Sequence, residues 1–227
     1  MNKILVVAAH PDDEVLGVGG TIPILKKKGA DITVLIVTDG SQTQYDNNSD
    51  IDKQKRNELQ KAMEILTVDK VIQWDFPDMQ LDTIAHYELN KAFEVLLQKE
   101  KYDTIFCHSE HDINLDHKFI FNSVMVAARP YPDQSVKCIL TYYVNSSTEW
   151  GAFSHKGPFN PNVYVNISDT IDLKLKAMEA YKTELREYPH PRSIEGIRIQ
   201  AASHGLNTGY AYAEPFKLIL LHGLLTD

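Results

Sequence analysis

Short apolar runs alternate with stretches of helical periodicity along most of this sequence, and this alternation is the feature that most limits the possible fold. The apolar runs are continuous and rich in β-branched residues, rather than alternating apolar with polar side chains. Continuous apolar strands separated by helices are typical of a parallel sheet that is covered on both faces. We therefore expect an α/β fold: a Rossmann-like three-layer sandwich with a mainly parallel sheet.

Five strands and four helices can be placed from these patterns. The predicted strands are KILVVAA (3–9), ITVLIVT (32–38), KVIQWD (70–75), DTIFCH (103–108) and KCILTYYV (137–144). The predicted helices cover residues 15–28, 54–66, 87–99 and 116–128. Pro23 lies inside the first helix, where its missing N–H group should cost a hydrogen bond or kink the helix.

Length, charge and apolar content limit the classes of protein to which this chain can belong before any motif is considered. A chain of 227 residues is long enough for one large domain, which we take to be residues 1–227. The formal net charge of −8 argues against a nucleic-acid partner, which normally needs a basic face. The apolar runs fall short of the ~18 residues of a membrane span, and the N-terminal segment does not resemble a signal peptide. We therefore expect a cytoplasmic protein in which Cys107 and Cys138 are buried free thiols.

The segment AAHPDDE, residues 8–14, follows the first predicted strand and places three carboxylates in one turn. Like charges this close repel, and a nearby cation stabilises their ionised forms. Capping of the next helix accounts for one or two acids but not for His10. Dinucleotide binding would use Gly17, Gly19 and Gly20, but these glycines come after the turn, and the acids would repel phosphate groups. Close helix packing explains the glycines better, and a metal site is the third interpretation of the acids.

A metal site predicts further ligands elsewhere, and the segment after the fourth predicted strand supplies candidates. Five of them lie close together: His108, His111, Asp112, Asp116 and His117. The first and fourth strands of a Rossmann-like sheet flank the topological switch point, where ligands bind. Catalytic zinc is typically held by three protein ligands, which leaves one position for water. The two clusters together therefore predict a metal site in the crevice between these strands.

The residues of both clusters match motifs of a known family. The chain resembles the PIG-L (LmbE-like) zinc-dependent N-deacetylases, whose motif A-H-P-D-D-E stands here as AHPDDE and whose second motif, ending in D-H, stands as NLDH. Further similar segments extend over nearly the whole length: KRNELQKAMEIL, FPDMQLD, SSTEW, FNPNVYVNIS, YKTELREYPHPRS and YAEPF. The resemblance implies a Rossmann-like fold, a bound Zn²⁺ ion and an N-acetylated amino sugar as substrate, and it is compatible with a homo-oligomer. Imidazole and carboxylate ligands also accept other divalent metals.

Carried over to this sequence, the resemblance implies that zinc is held by three side chains, His10, Asp13 and His117. Asp12 is then the general base. Zinc lowers the pKa of the water it binds toward ~7, so a carboxylate can take a proton from that water near neutral pH. The resulting hydroxide attacks the amide carbonyl, and protonated Asp12 supplies the proton that the leaving amine needs.

The second motif departs from the family pattern at one position. Many members carry a histidine three residues before the second histidine ligand, and this histidine is thought to stabilise the oxyanion. Asn114 stands there in this chain, and its amide donates only a neutral hydrogen bond. Asp116 is expected either to orient a neighbouring side chain or to cap the following helix. For His108 and His111 we expect surface positions, with a spare ligand or a substrate contact as the alternatives.

Four residues outside these motifs are weaker candidates for substrate contacts: Arg56, Glu149, His190 and Arg192. Their ordinary alternatives are a solvated helix face for the first and a helix boundary for the PHPRS segment that holds the last two. Two long polar segments, 39–50 and 145–162, are expected at the carboxyl edge of the sheet, with Trp150 available to cover a sugar ring.

The sequence thus predicts a metal-dependent hydrolase that removes the N-acetyl group from an N-acetylglucosamine-type sugar or conjugate. The expected partner is this small-molecule substrate. Two alternatives stay open: a non-catalytic zinc-binding or sugar-binding protein, and an amidohydrolase that acts on another N-acyl small molecule.

Overall fold

The fold is an α/β sandwich built on one mixed sheet. A computed structural model describes residues 2–38, 49–153 and 157–223. The seven strands within these ranges are β1 Lys3–Ala8, β2 Asp31–Thr38, β3 Lys70–Phe76, β4 Thr104–His108, β5 Cys138–Tyr142, β6 Val163–Asn166 and β7 Ala213–Leu221. They lie in the order β3-β2-β1-β4-β5-β7-β6. The strands β1 to β5 are parallel, whereas β7 runs antiparallel to both of its neighbours, so the predicted mainly parallel sheet is confirmed.

Two apolar cores cover the sheet, one on each face. Successive β1 side chains point to opposite faces, so Ile4 and Val6 join one core while Leu5 and Val7 join the other. The outer layers are helical: α1 Asp13–Val18, α2 Thr21–Lys27, α3 Ser49–Leu66, α4 His86–Glu100, α5 Leu115–Ala127, α6 Ile171–Ala180 and α7 Ile194–Leu206. Two short 3₁₀ helices cover Leu81–Thr83 and Thr148–Phe153. None of the described helices combines the length and the apolar character needed to cross a membrane.

The first predicted helix, residues 15–28, is wrong in one respect, because the chain forms two helices there with a break before Thr21. The Glu214 carboxylate accepts hydrogen bonds at 2.8 Å from the backbone N–H groups of Gly20 and Thr21, and so binds the N-terminus of α2. Pro23 consequently lies in the first turn of α2, where its missing N–H costs no intrahelical hydrogen bond.

Two of the other three predicted helices agree closely with the structure, and the third begins earlier than predicted. The helix predicted over 54–66 begins five residues earlier, at Ser49, whereas α4 and α5 match the predictions to within one residue at each end. Four elements of the C-terminal third were not predicted: β6, α6, α7 and β7. The polar segment 145–162 contains the second 3₁₀ helix, and most of the segment 39–50 lies outside the described residues. Both cysteines are buried free thiols, as expected.

The two predicted clusters meet at one edge of the sheet. Strands β1 and β4 are neighbours at its centre, with Ile4 opposite Thr104. Because the two strands are parallel, their C-terminal residues Ala8 and His108 lead into the same crevice. This is the topological switch point, where strand order reverses and ligands bind in open α/β sheets.

Candidate metal centre and active site

A cavity of about 240 Å³ opens at this edge of the sheet. Its walls come from the turn between β1 and α1, helix α3, the segment after β3, the start of α5, the segment after β5 and the segment between α6 and α7. The lining includes His10, Asp12, Asp13, Lys55, Asp78, Asn114, His117, Asn145, Ser146, Ser147, Glu184 and Arg192.

Three of these side chains are arranged to hold one metal ion: His10, Asp13 and His117. The Asp13 Oδ2 atom lies 3.4 Å from His10 Nδ1 and 3.4 Å from His117 Nε2. His117 Nε2 is buried and has no hydrogen-bond partner among the described residues, and a bound metal would satisfy this atom once it is deprotonated. Two imidazoles and one carboxylate form a donor set typical of catalytic zinc. The residues therefore fit the ion that the family resemblance implies.

Asp112 orients the His117 ring, a role that the sequence did not reveal. Its Oδ2 atom lies 3.1 Å from His117 Nδ1 and accepts a hydrogen bond from the Thr148 hydroxyl at 2.6 Å. Its other oxygen accepts hydrogen bonds from the Asn114 backbone N–H and the Ser147 hydroxyl. Burial raises the pKa of Asp112, but the charge of His117 and the hydrogen bonds outweigh burial, so the pKa is well below its usual range. An ionised carboxylate behind the ring favours the tautomer that leaves Nε2 free for the metal.

His10 is shared with a second possible ligand group, which consists of His10, Asp78 and Asp116. The His10 Nε2 atom lies 3.2 Å from Asp78 Oδ1 and 3.1 Å from Asp116 Oδ2. The Asp116 carboxylate also accepts hydrogen bonds from the backbone N–H groups of Met79 and Leu81. Because both Asp116 oxygens are engaged in this way, this carboxylate orients His10, whose Nδ1 atom faces the first group.

Asn114 caps α5 and lines the cavity. Its Oδ1 atom accepts a hydrogen bond at 2.9 Å from the Asp116 backbone N–H, so the cap of this helix is Asn114 and not Asp116. Its Nδ2 atom lies 3.6 Å from the sulfur of Met79, which is a weak acceptor. The chain thus has a neutral amide in the cavity wall, at the sequence position where the family motif has a histidine.

Asp12 lies beside the metal group in a strained backbone conformation. Its φ of 126° is one that residues other than glycine rarely adopt. Its backbone N–H donates to Glu14 Oε2 at 3.1 Å, and the Tyr181 hydroxyl donates to the other Glu14 oxygen. The Arg192 guanidinium donates to Asp12 Oδ2 at 3.2 Å. The third carboxylate of the turn therefore supports the backbone of Asp12, while Asp12 itself faces the cavity.

The two neighbouring aspartates of this turn have opposite pKa shifts. Burial raises the pKa of Asp12, the Asp13 carboxylate raises it further, and Arg192 opposes both effects. Burial also raises the pKa of Asp13, but the charges of His117 and His108 outweigh it, and the pKa is well below its usual value. Asp13 is consequently ionised and able to bind a cation, whereas Asp12 has a raised affinity for a proton.

The four weaker candidates occupy different positions. Arg56 is exposed and is not among the described residues that line the cavity, whereas its neighbour Lys55 is buried and lines it. Glu149 also lies outside the described lining, and its carboxylate accepts hydrogen bonds from two backbone N–H groups of its own turn. His190 Nδ1 accepts the Arg192 backbone N–H at 3.0 Å and so shapes its loop. Of the four, Arg192 is the one that reaches the cavity.

The surface positions expected for His108 and His111 are wrong. His108 is fully buried at the end of β4, where its Nε2 atom accepts the Ala9 backbone N–H at 2.8 Å. Its ring stacks on His117 with the centroids 3.8 Å apart. His111 is half-buried, and its Nδ1 atom lies 3.1 Å from the Gly157 carbonyl oxygen.

Comparison with protein families identifies the chain. The model of the PIG-L family, described as GlcNAc-PI de-N-acetylase, matches residues 5–128, which is more than half of the sequence. The protein belongs to the PIG-L family.

Individual relatives extend this similarity along the chain. A diacetylchitobiose deacetylase from Thermococcus kodakarensis is 26% identical, with 96% of this chain and 84% of the relative covered. A probable N-acetyl-α-D-glucosaminyl L-malate deacetylase 2 from Bacillus cereus is also 26% identical, with 80% and 83% covered. The crystal structure of a conserved protein from Thermus thermophilus matches with a TM-score of 0.79, 26% identity and full coverage of both chains. The α/β fold is therefore shared over the whole length.

Proposed function

We propose that this protein is a metal-dependent N-deacetylase that removes the acetyl group from an N-acetylglucosamine-type sugar or conjugate. The observation that supports this most strongly is the convergence of His10, Asp13 and His117 beside Asp12 in one cavity. The family description and the names of the two relatives add support, because each denotes a deacetylase. All three descriptions also name an N-acetylglucosamine compound, since diacetylchitobiose is a disaccharide of N-acetylglucosamine.

His10, Asp13 and His117 would hold the metal, which we propose to be zinc, although the same donors accept other divalent ions. Bound zinc supplies Lewis-acid activation of a water molecule and of an amide carbonyl. Both histidines have a carboxylate behind them, Asp116 for His10 and Asp112 for His117. These carboxylates restrict the imidazole rings to one orientation and so prepare the site for the ion.

Asp12 performs the proton transfers. In the hydrolysis, a water oxygen bonds to the acetyl carbonyl carbon and the C–N bond breaks, which yields acetate and a free amine. The Asp12 carboxylate takes a proton from the attacking water and returns it to the departing nitrogen. Burial raises the pKa of Asp12, which is the direction of shift that favours a group that both accepts and donates a proton near neutral pH.

Asn114 is the residue of this chain that we assign to the developing oxyanion. Its amide lines the cavity at the position where many family members carry a histidine. A neutral N–H donor stabilises negative charge less than an imidazolium does, because charged donors form the stronger hydrogen bonds. The oxyanion is therefore expected to depend mainly on the metal.

The polar wall of the cavity fits a hydroxylated ring. Asn145, Ser146 and Ser147 line it from the segment after β5 and offer both donors and acceptors. Trp150, which was expected to cover the sugar, is 58% exposed and is not among the described residues of the lining. We therefore assign sugar recognition to polar groups rather than to an aromatic surface.

Substrate comparison tests this assignment. We expect kcat/KM to be roughly 10- to 100-fold higher for N-acetylglucosamine conjugates than for acyclic N-acetyl amines, because each lost hydrogen bond costs about 0.5–1.5 kcal/mol of transition-state binding. The measurement is acetate released by the zinc-loaded protein. Equal values for both substrate classes would refute sugar recognition while leaving amide hydrolysis intact. If no substrate of either class releases acetate, the proposal fails, and a non-catalytic binding protein or a hydrolase of another N-acyl compound is favoured instead.

A further inference from the structure

Four charged side chains form a continuous chain of contacts along one wall of the cavity: Lys55, Glu184, Arg192 and Asp12. Glu184 Oε1 lies 3.0 Å from Lys55 Nζ, and Glu184 Oε2 lies 3.3 Å from Arg192 Nη1. The same Nη1 atom donates to Asp12 Oδ2 at 3.2 Å. One guanidinium nitrogen therefore bridges the carboxylate of Asp12 and the carboxylate of Glu184.

The charges of Glu184 and Lys55 are buried, and this limits the positions that the Arg192 guanidinium can take. The side chain of Glu184 is 10% exposed and that of Lys55 is 8% exposed, so neither charge is freely solvated. A buried charge is costly unless it is paired, and removing one partner leaves the other uncompensated. Glu184 engages one cation with each of its two oxygens, and this pairing determines where the Arg192 guanidinium can lie.

The Asp12 carboxylate needs a hydrogen-bond donor to hold it in one orientation. Its backbone is held in the positive-φ conformation, and its side chain does not cap α1. Among the described residues, Arg192 is the group that donates a hydrogen bond to the Asp12 carboxylate. Catalysis is sensitive to this geometry, because a displacement of about 1 Å at a reacting group can cost ~10²-fold in rate.

We infer that Glu184 is a positioning residue: it fixes Arg192, and Arg192 in turn holds the Asp12 carboxylate in the orientation that transfers the proton. This inference rests on the proposed function. It assigns Glu184 and Lys55, which the sequence analysis did not identify as candidate site residues, to the support of the general base rather than to the substrate.

Glu184→Gln tests the inference, because it keeps the shape of the side chain and removes its charge. We expect kcat for an N-acetylglucosamine conjugate to fall about 10- to 100-fold, with KM and zinc content close to the wild-type values. The matched control is Glu58→Gln. Glu58, on α3, is buried like Glu184, and it accepts a hydrogen bond from Thr183, the residue before Glu184. It is not among the described residues that line the cavity. This control should leave kcat unchanged.

A double-mutant cycle separates action through Arg192 from a general structural effect. In the Arg192→Ala background, Glu184→Gln should cause little additional loss of kcat, because the guanidinium that it positions is gone. Glu184→Asp, which keeps the charge, should restore part of the rate and covers the case in which Glu184→Gln folds poorly. Thermal unfolding of each variant shows whether it is folded.

Several outcomes would overturn the inference. It fails if Glu184→Gln raises KM with kcat unchanged, if its kcat equals that of the Glu58→Gln control, or if the losses from Glu184 and Arg192 simply multiply. It fails together with the proposed function if the wild-type protein releases no acetate. Wild-type turnover with an unaffected Glu184→Gln variant would refute the positioning role alone.

Discussion

Replacing Asp12 with asparagine is expected to lower turnover about 10²- to 10⁴-fold while leaving one divalent metal ion bound per chain. The amide of asparagine keeps the size of the side chain and can still contact Arg192, but it cannot accept a proton from water. Metal binding should persist, because Asp12 is not one of the three residues of the ligand group. Acetate release and elemental analysis of the same preparation measure the two effects.

Asp82→Asn is the matched control for this substitution. Asp82 is exposed on the 3₁₀ helix Leu81–Thr83, close in sequence to the cavity residue Met79. It should retain wild-type turnover. An Asp12→Asn variant that turns over like the wild type would show that Asp12 only supports the turn and that another residue is the base.

The largest effect on metal binding is expected from His117→Ala. The variant loses one of the three proposed ligands, and we expect the affinity for zinc to fall about 100-fold or more, since even residues that merely orient a ligand typically contribute 10- to 100-fold. Activity should fall with metal occupancy. Competition with a chromophoric chelator measures the affinity, and elemental analysis measures the occupancy.

His111→Ala provides the control, because this histidine belongs to the same loop but not to the ligand group. It should bind zinc with the wild-type affinity. Full zinc occupancy of His117→Ala would instead favour the alternative group of His10, Asp78 and Asp116, and the ligand assignment would be wrong.

The sequence predicts the first half of the fold well for a physical reason. Strands such as β1 and β4 are buried on both faces, so their apolar residues form continuous runs that a local pattern detects. Strand β6 is only partly buried, and β7 contains Pro215, which normally argues against a strand inside a sheet. The antiparallel return of β7 depends on pairing with β5 and β6, which no local pattern encodes.

The break before α2 depends in the same way on a distant residue. Glu214, on β7, binds the backbone N–H groups at the start of α2 and pairs with the buried Lys174 of α6. Helical periodicity continues across the break, so the sequence alone predicts one long helix. The position of Pro23 was the local signal that an uninterrupted helix would be unfavourable.

Part of the candidate site could likewise be predicted from local sequence, and part could not. His10 and Asp13 are close in sequence at the end of a strong strand, so their proximity could be predicted. The contact between Lys55 and Glu184 forms only in the folded chain. Both residues lie in segments that resemble the family, but no local pattern indicates that they pair. Arg56 was the residue of α3 expected to contact substrate, yet successive helical residues differ by about 100° in direction, and the neighbouring Lys55 is the one that faces the cavity.

Acetate release from an N-acetylglucosamine conjugate, measured on the metal-stripped and the zinc-reloaded protein, is the most direct test of metal-dependent deacetylation. We predict that the stripped protein releases acetate at the background rate, and that one zinc ion per chain restores turnover with an equimolar yield of free amine. Acetate release by the stripped protein at the rate of the reloaded protein would contradict metal dependence, and failure of the reloaded protein to release acetate would contradict deacetylation itself.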